Sequence, residues 1–275
     1  MVIDAHNHFW QYDKAKHAWM NEDMAVLKKD FMPKDLYPLM QQNNIDGCIA
    51  VQAEESENEN YFLLQLAAEN NFIKGIVGWI DMFANDAEQR LQYYSQFKLI
   101  KGFRYVLQDK TDRALILHPV FKKNIALFKQ HRFTYDILIL NDQLGFADIL
   151  VKSFPLQKFM LNHLAKPAIK LREIIEWRNA INTIAKNENL YCKLSGMVTE
   201  ADWATHTYND FVPYMETILE TFGSKRIVYG SDWPVCLLAA SYKNGFEIVK
   251  QFIATLSANE QENIMGNNAI TFYNL

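Results

Sequence analysis

The chain opens on two imidazoles two residues apart, within Val2-Ile3-Asp4-Ala5-His6-Asn7-His8-Phe9-Trp10. Residues 2–8 alternate like an extended strand, and side chains at i and i+2 of a strand share a face. Asp4, His6 and His8 are therefore expected on one face. Two imidazoles on one strand edge can bind a metal ion or aim two hydrogen-bond donors at one substrate atom, and core packing requires neither. A His-X-His tripeptide also arises by chance, so the pair takes its meaning from what other elements bring beside it.

Those elements alternate between strand and helix. A first loop over 11–34, bearing Tyr12, His17, Trp19 and Phe31, has little periodicity and suits a cover folded over a site. Strand patterns follow at 46–52, 72–80, 99–104, 133–140, 158–163, 190–194 and 226–229. Helical patterns follow at 33–42, 60–70, 84–97, 119–130, 143–153, 170–187, 211–222, 245–256 and 259–265. Eight strands each followed by a helical pattern predict an α/β protein with a parallel sheet, and 275 residues is the size of a (β/α)8 TIM barrel. No linker or low-complexity stretch divides the chain, so residues 1–275 are expected to form one barrel domain. A doubly wound open sheet is the alternative, without a Gly-X-Gly-X-X-Gly after the first strand to support it.

In a barrel of this kind the C-terminal strand ends converge on one mouth, where active sites lie. The residues placed there are His6 and His8, Gln52, Arg104, Tyr135 with Asp136, His163, Lys193 and Asp232. Apolar residues fill the bodies of the same strands, so polar groups gather at the ends. Each also has a plainer reading. His163 could be a hydrogen-bonded loop histidine, Arg104 and Lys193 mouth cations paired with Asp136 or Asp232, and Asp232 a cap in the turn Ser231-Asp232-Trp233-Pro234. His17, His118, His131 and His206 fall outside strand ends, and only His17, on the first loop, stays a candidate.

Composition narrows the classes. A formal net charge of -4 with scattered Lys and Arg leaves no basic footprint, which argues against nucleic acid and membrane surfaces as partners. Cys48, Cys192 and Cys236 have no Cys-X-X-Cys spacing, so neither a disulfide framework nor a zinc ribbon is expected, and reduced thiols in a cytoplasmic protein are. The first residues lack the basic and apolar regions of a secretory leader, and no apolar run approaches the roughly 20 residues of a membrane helix.

Five motifs taken together carry a resemblance: Asp4-Ala5-His6-Asn7-His8-Phe9-Trp10, Lys101-Gly102-Phe103-Arg104, Asn162-His163-Leu164-Ala165-Lys166-Pro167, Tyr191-Cys192-Lys193-Leu194-Ser195-Gly196 and Gly230-Ser231-Asp232-Trp233-Pro234. In this order, and spread over essentially the whole chain, they resemble the amidohydrolase-2 group of the amidohydrolase superfamily. Within it they are most similar to sugar-lactone hydrolases such as L-fuconolactonases and L-rhamnonolactonases. The resemblance implies a distorted barrel in which His6, His8, His163 and Asp232 surround the reacting carbon and are the catalytic set. They are also the candidate ligands for a single divalent ion, zinc before others. The chain departs from binuclear relatives, because no lysine ends the fourth strand and Tyr135-Asp136 stands where the fifth strand would offer a histidine. Relatives of this kind include lactonases that work without metal, so no cofactor is fixed by sequence.

The expected reaction is hydrolysis of an aldonolactone. Asp232 serves as general base toward water and later as acid toward the ring oxygen, and His6, His8 and His163 polarise the carbonyl with or without one metal ion. Arg104, Lys193, Gln52, Tyr135 and Trp79 are the expected substrate-binding residues, and a small sugar lactone is the expected partner, with the oligomeric state open. A metal-dependent decarboxylase of the same superfamily and a barrel that binds a sugar acid without catalysis are the alternatives.

Overall fold

The computed structural model describes residues 1–275. Short runs of branched and small apolar residues, buried along both faces, form eight parallel strands, as parallel sheets covered by helices require. They are β1 (Ile3–Asn7), β2 (Gly47–Val51), β3 (Ile73–Gly78), β4 (Ile100–Val106), β5 (Thr134–Leu138), β6 (Phe159–Leu161), β7 (Leu190–Leu194) and β8 (Ile227–Tyr229). Their spatial order is their chain order, β1 through β8. The ring closes at the mouth, where Asn7 bridges to Trp233, Asp232 N donates to His6 O at 2.8 Å and His8 N to Trp233 O at 2.7 Å. The expected TIM barrel is thus present.

The helices of the outer layer are α1 (Pro33–Gln42), α2 (Asn58–Glu69), α3 (Ala87–Tyr94), α4 (Pro119–Phe128), α5 (Leu144–Ser153), α6 (Ile175–Ile184), α7 (Met197–Glu200), α8 (Tyr208–Phe222) and α9 (Tyr242–Ile253). Then α10 (Ala258–Glu262) runs through a wide turn at Asn263–Asn267 into α11 (Asn268–Tyr273). Apolar side chains divide into two bodies. A small one joins Ile3, Ala5, Ile49, Val51, Val77, Met160 and Val228 of the strands to Ala269, Phe272 and Tyr273 of α11. The larger one lies between strands and helices and holds Phe103, Tyr135, Phe159 and Leu161.

Three sequence expectations change. Asp4 does not share a face with His6: the pairing of β1 with β2 runs Asp4↔Cys48 and then Asn7↔Ala50, three residues against two. This bulge breaks the two-residue period, so Asp4 meets Tyr242 of α9 while His6 meets Arg104 and Lys193. The helix expected over 170–187 begins only at Ile175, because Arg172 takes a left-handed backbone (φ 56) that an α-helix cannot contain; Leu171, inside the expected span, is exposed. Finally, β6 stops at Leu161, and His163 sits in the turn beyond it.

Candidate active site

Three imidazoles converge on one oxygen. The Nε2 atoms of His6, His8 and His163 stand 3.8, 3.5 and 3.8 Å from Asp232 Oδ1. These separations exceed the ordinary N–H···O range of about 2.7–3.2 Å and leave room for a small bridging species. All four side chains are buried.

Each is aimed by a local device. The bulge in β1 turns His6 into the barrel, and β8 approaches so closely there that a Cβ on Gly230 would lie 2.6 Å from that of His6. Asp4, facing the other way, accepts from Ser231 N at 2.8 Å and Tyr242 Oη at 3.1 Å, clamping the segment that carries Asp232. Burial lifts the Asp4 carboxyl to about 6 against those hydrogen bonds. His8 Nδ1 lies 2.8 Å from Val51 O, a contact it can make only by donating. His163 is presented by four successive left-handed residues, His163, Leu164, Ala165 and Lys166, with φ of 52, 55, 56 and 49. At about 1–2 kcal/mol each, this conformation is costly and is held from outside. Trp177 Nε1 donates to Leu164 O at 2.7 Å, and His163 Nδ1 pairs with Ser195 Oγ at 2.8 Å. Gly196, itself left-handed, leaves space that a Cβ would take within 2.5 Å of His163 Nδ1.

Burial sets the protonation of the cluster. It drives His6 well below the ordinary imidazole range, with Lys193, His163, His8 and Arg104 adding to it. Burial likewise lowers His8, and it takes His163 to about 3. All three rings are therefore neutral at pH 7. Burial alone would raise Asp232, but His163, His8 and Lys166 outweigh it and hold the carboxylate below its ordinary range. A neutral His8 with its proton on Nδ1 turns the Nε2 lone pair toward that carboxylate, an arrangement that calls for a proton or cation between them. His6, His8 and Asp232 offer ligand atoms within 4.8 Å of one another. Two imidazoles and a carboxylate with an open position suit a catalytic divalent ion. His6 Nε2 also lies 3.2 Å from Arg104 Nη1, whose charge disfavours a second cation nearby.

The remaining expected residues separate into layers. Arg104 Nη2 donates to Gln52 O at 2.7 Å and Gln52 Oε1 at 2.8 Å, so both belong to the wall beside His6. Burial brings Arg104 down to about 10, still protonated. Lys193 does not line the mouth: it is fully buried, with Nζ 2.7 Å from Asp136 Oδ2 and 3.3 Å from His6 Nδ1. Its pairing with Asp136 is the plainer of its two readings. Asp136 also accepts from Asn162 Nδ2 at 3.0 Å and Tyr273 Oη at 2.9 Å, which commits it fully. Tyr135 does not line the mouth either. Its neighbour Asp136 points into the barrel, so strand alternation sends Tyr135 outward, against Phe121, Phe128 and Phe159. Trp79 follows β3 and stacks on Tyr105 at 6.0 Å, with its indole nitrogen buried and unpartnered. His17 is buried in the first loop against Trp10 and Tyr12. Sequence reasoning missed Lys166 and Glu200, an ion pair at 3.4 Å between the turn after β6 and the short helix α7 after β7. Lys166 stood inside a quoted motif, but no strand end marked it.

Residues 3–275 match the family described as Amidohydrolase. An L-fucono-1,5-lactonase of Burkholderia multivorans is 36% identical over 284 residues, covering 99% of this chain and 96% of the relative. A second L-fucono-1,5-lactonase, from Burkholderia ambifaria, is 30% identical over 87% of this chain and 82% of its own length. A crystal structure of an amidohydrolase from Burkholderia multivorans with bound zinc superposes with a TM-score of 0.97 at 35% identity, covering 100% of this chain and 99% of that one.

Proposed function

The chain belongs to the amidohydrolase family, and from that membership we propose that it hydrolyses a 1,5-lactone of a sugar acid, with Asp232, His6, His8 and His163 as its catalytic residues and residues 1–275 as one catalytic domain. The observation that carries this reading is the convergence of three neutral imidazoles on one ionised carboxylate oxygen at 3.5–3.8 Å. Asp232 Oδ1 and the His8 Nε2 lone pair are both acceptors, and between them they orient a water molecule. Asp232 takes its proton as the water oxygen attacks the lactone carbonyl carbon. The oxyanion that forms is met by His163, which can carry its proton on Nε2 when the Ser195 hydroxyl donates to Nδ1, and Arg104, beside His6, adds positive charge to the cluster. The bond from carbonyl carbon to ring oxygen then breaks, and Asp232 returns the proton to the departing oxygen, leaving the open-chain acid.

His6, His8 and Asp232 would hold a divalent ion, zinc first, which when bound supplies Lewis-acid polarisation of the carbonyl. A lactone is an activated ester, so a carboxylate of depressed basicity suffices as base. The three buried free thiols fit the reducing, cytoplasmic setting of this proposal. The test is a panel of aldonolactones followed by proton release at constant pH, with metal content and rates measured before and after chelation. Hydrolysis of a six-membered sugar lactone is expected. Rates at background across the panel would remove the reading, and release of carbon dioxide from a hydroxylated aromatic acid would replace it.

A further inference from the structure

The four-residue left-handed turn after β6 delivers a second side chain that the hydrolysis step does not use. Lys166 N donates to His163 O at 2.7 Å, closing a three-residue turn, and in such a turn side chains at i and i+3 lie over one another. His163 and Lys166 therefore share the polar side, while Leu164 and Ala165 are fully buried in the apolar layer. Lys166 follows the C-terminal end of β6 and Glu200 that of β7, which puts their ion pair at the mouth, where the Lys166 charge acts on both Asp232 and His163. Its partner Glu200 ends α7 and has a carboxyl raised chiefly by burial, with the Asp232 charge adding to it. The two side chains are about one-fifth exposed, open enough for a ligand to reach. Their separation of 3.4 Å is longer than the roughly 2.7–2.9 Å of a closed charge-assisted contact. A hydroxyl inserted beside them would accept from one and donate to the other.

We infer that Lys166 and Glu200 are specificity-determining residues that bind ring hydroxyls of the lactone, selecting a neutral polyhydroxylated ring over a bare one. The inference rests on the lactonase reading for its substrate class but not for its binding geometry. A neutral polyol needs donors and acceptors side by side, and the pair supplies both without net charge. A site built to hydrogen-bond a substrate hydroxyl discriminates strongly against the analogue that lacks it.

The test uses the full chain, its Lys166→Met and Glu200→Gln variants, and two six-membered lactones, L-fucono-1,5-lactone and unsubstituted δ-valerolactone. The expected result is a kcat/KM loss on the hydroxylated lactone, carried mainly by KM, that exceeds the loss on δ-valerolactone by about 10- to 100-fold, the span one hydrogen bond to a charged group supports. Equal losses on the two lactones, or none on either, would overturn the inference. Titration calorimetry with L-fucose, a neutral six-membered ring bearing hydroxyls, makes the comparison without turnover. If the native chain opens neither lactone, the lactonase reading fails alone, and calorimetry decides: binding at least about tenfold weaker in the variants upholds the inference. Equal binding, or none to the native chain, overturns it.

Discussion

Asp232 reaches its place through a left-handed backbone (φ 60) in the segment that closes the barrel, and three rings are arranged around one of its oxygens. Replacement by Asn keeps the shape and removes the base. Asp232→Asn is expected to lower turnover by at least about 10²-fold with an unchanged far-ultraviolet spectrum and melting transition, and near-normal activity would take Asp232 out of the reaction. Beneath this cluster, Lys193 and Asp136 form an ion pair with no exposed surface. Breaking a buried pair strands the remaining charge, so Lys193→Met should lose about 3–5 kcal/mol in urea unfolding, with part recovered in Lys193→Met/Asp136→Asn. A loss under about 1 kcal/mol would mean that water reaches Asp136 and the pair is not sealed. Why the pair was legible only in part follows from residue chemistry. A polar residue at the end of an apolar strand was enough to mark His6, His8, Arg104, His163 and Asp232. Adjacent Tyr135 and Asp136 alternate in face, and type alone did not say which of them points inward.

At the scale of elements, what sequence could not convey is where backbone departs from its period. Strand and helix spans were legible because burial on both faces and a 3.6-residue period leave strong patterns. The bulge in β1 and the left-handed run at His163–Lys166 leave none, since no glycine marks either. The glycine that serves the turn is Gly196, across the gap on the next loop. Gly196→Ala would combine a left-handed backbone with a Cβ 2.5 Å from His163 Nδ1. It is expected to cost about 1–3 kcal/mol in stability and, by displacing His163, at least about tenfold in kcat; full activity in that variant would show that His163 tolerates displacement. A second element-scale effect belongs to α2. Glu59 is buried in its first turn, accepts from Ala53 N at 2.9 Å, and burial lifts its carboxyl from 4.5 to about 7. The folded chain holds this proton more tightly than the unfolded one. The contribution is thus complete below about pH 4.5 and is lost as pH rises toward 7 and above. It amounts to about 3 kcal/mol. Glu59→Gln keeps the acceptor without the charge, so its stability relative to the native chain should rise between pH 5 and 8 in parallel denaturation series; parallel, unshifted curves would contradict this.

Across the whole molecule, the bottom of the barrel is tied to its mouth by a short polar path. Tyr273 of α11 packs with the strand interior and donates to Asp136, Asp136 pairs with Lys193, and Lys193 stands 3.3 Å from His6 Nδ1. The chain end is fixed from outside as well, since Lys101 Nζ donates to Asn274 O at 2.7 Å and Lys158 Nζ to Thr271 O at 3.2 Å. No strand-end argument reaches Tyr273, because it lies in the last helix, 137 residues from the carboxylate it meets. Removal of its hydroxyl is the cleanest probe of the path. Tyr273→Phe leaves the ring packed against Phe272 and Lys193 and withdraws only the donor to a buried carboxylate. A hydrogen bond to a charged group contributes about 1.5–3 kcal/mol, so the unfolding free energy from urea denaturation should fall by that amount while KM for the lactone stays within about twofold. Lys193 then carries Asp136 with one partner fewer, and a fall in kcat without a change in KM would show that its contact with His6 is felt in the reaction. Unchanged stability would mean that Asp136 is satisfied without α11, and the helix would then serve only to plug the barrel.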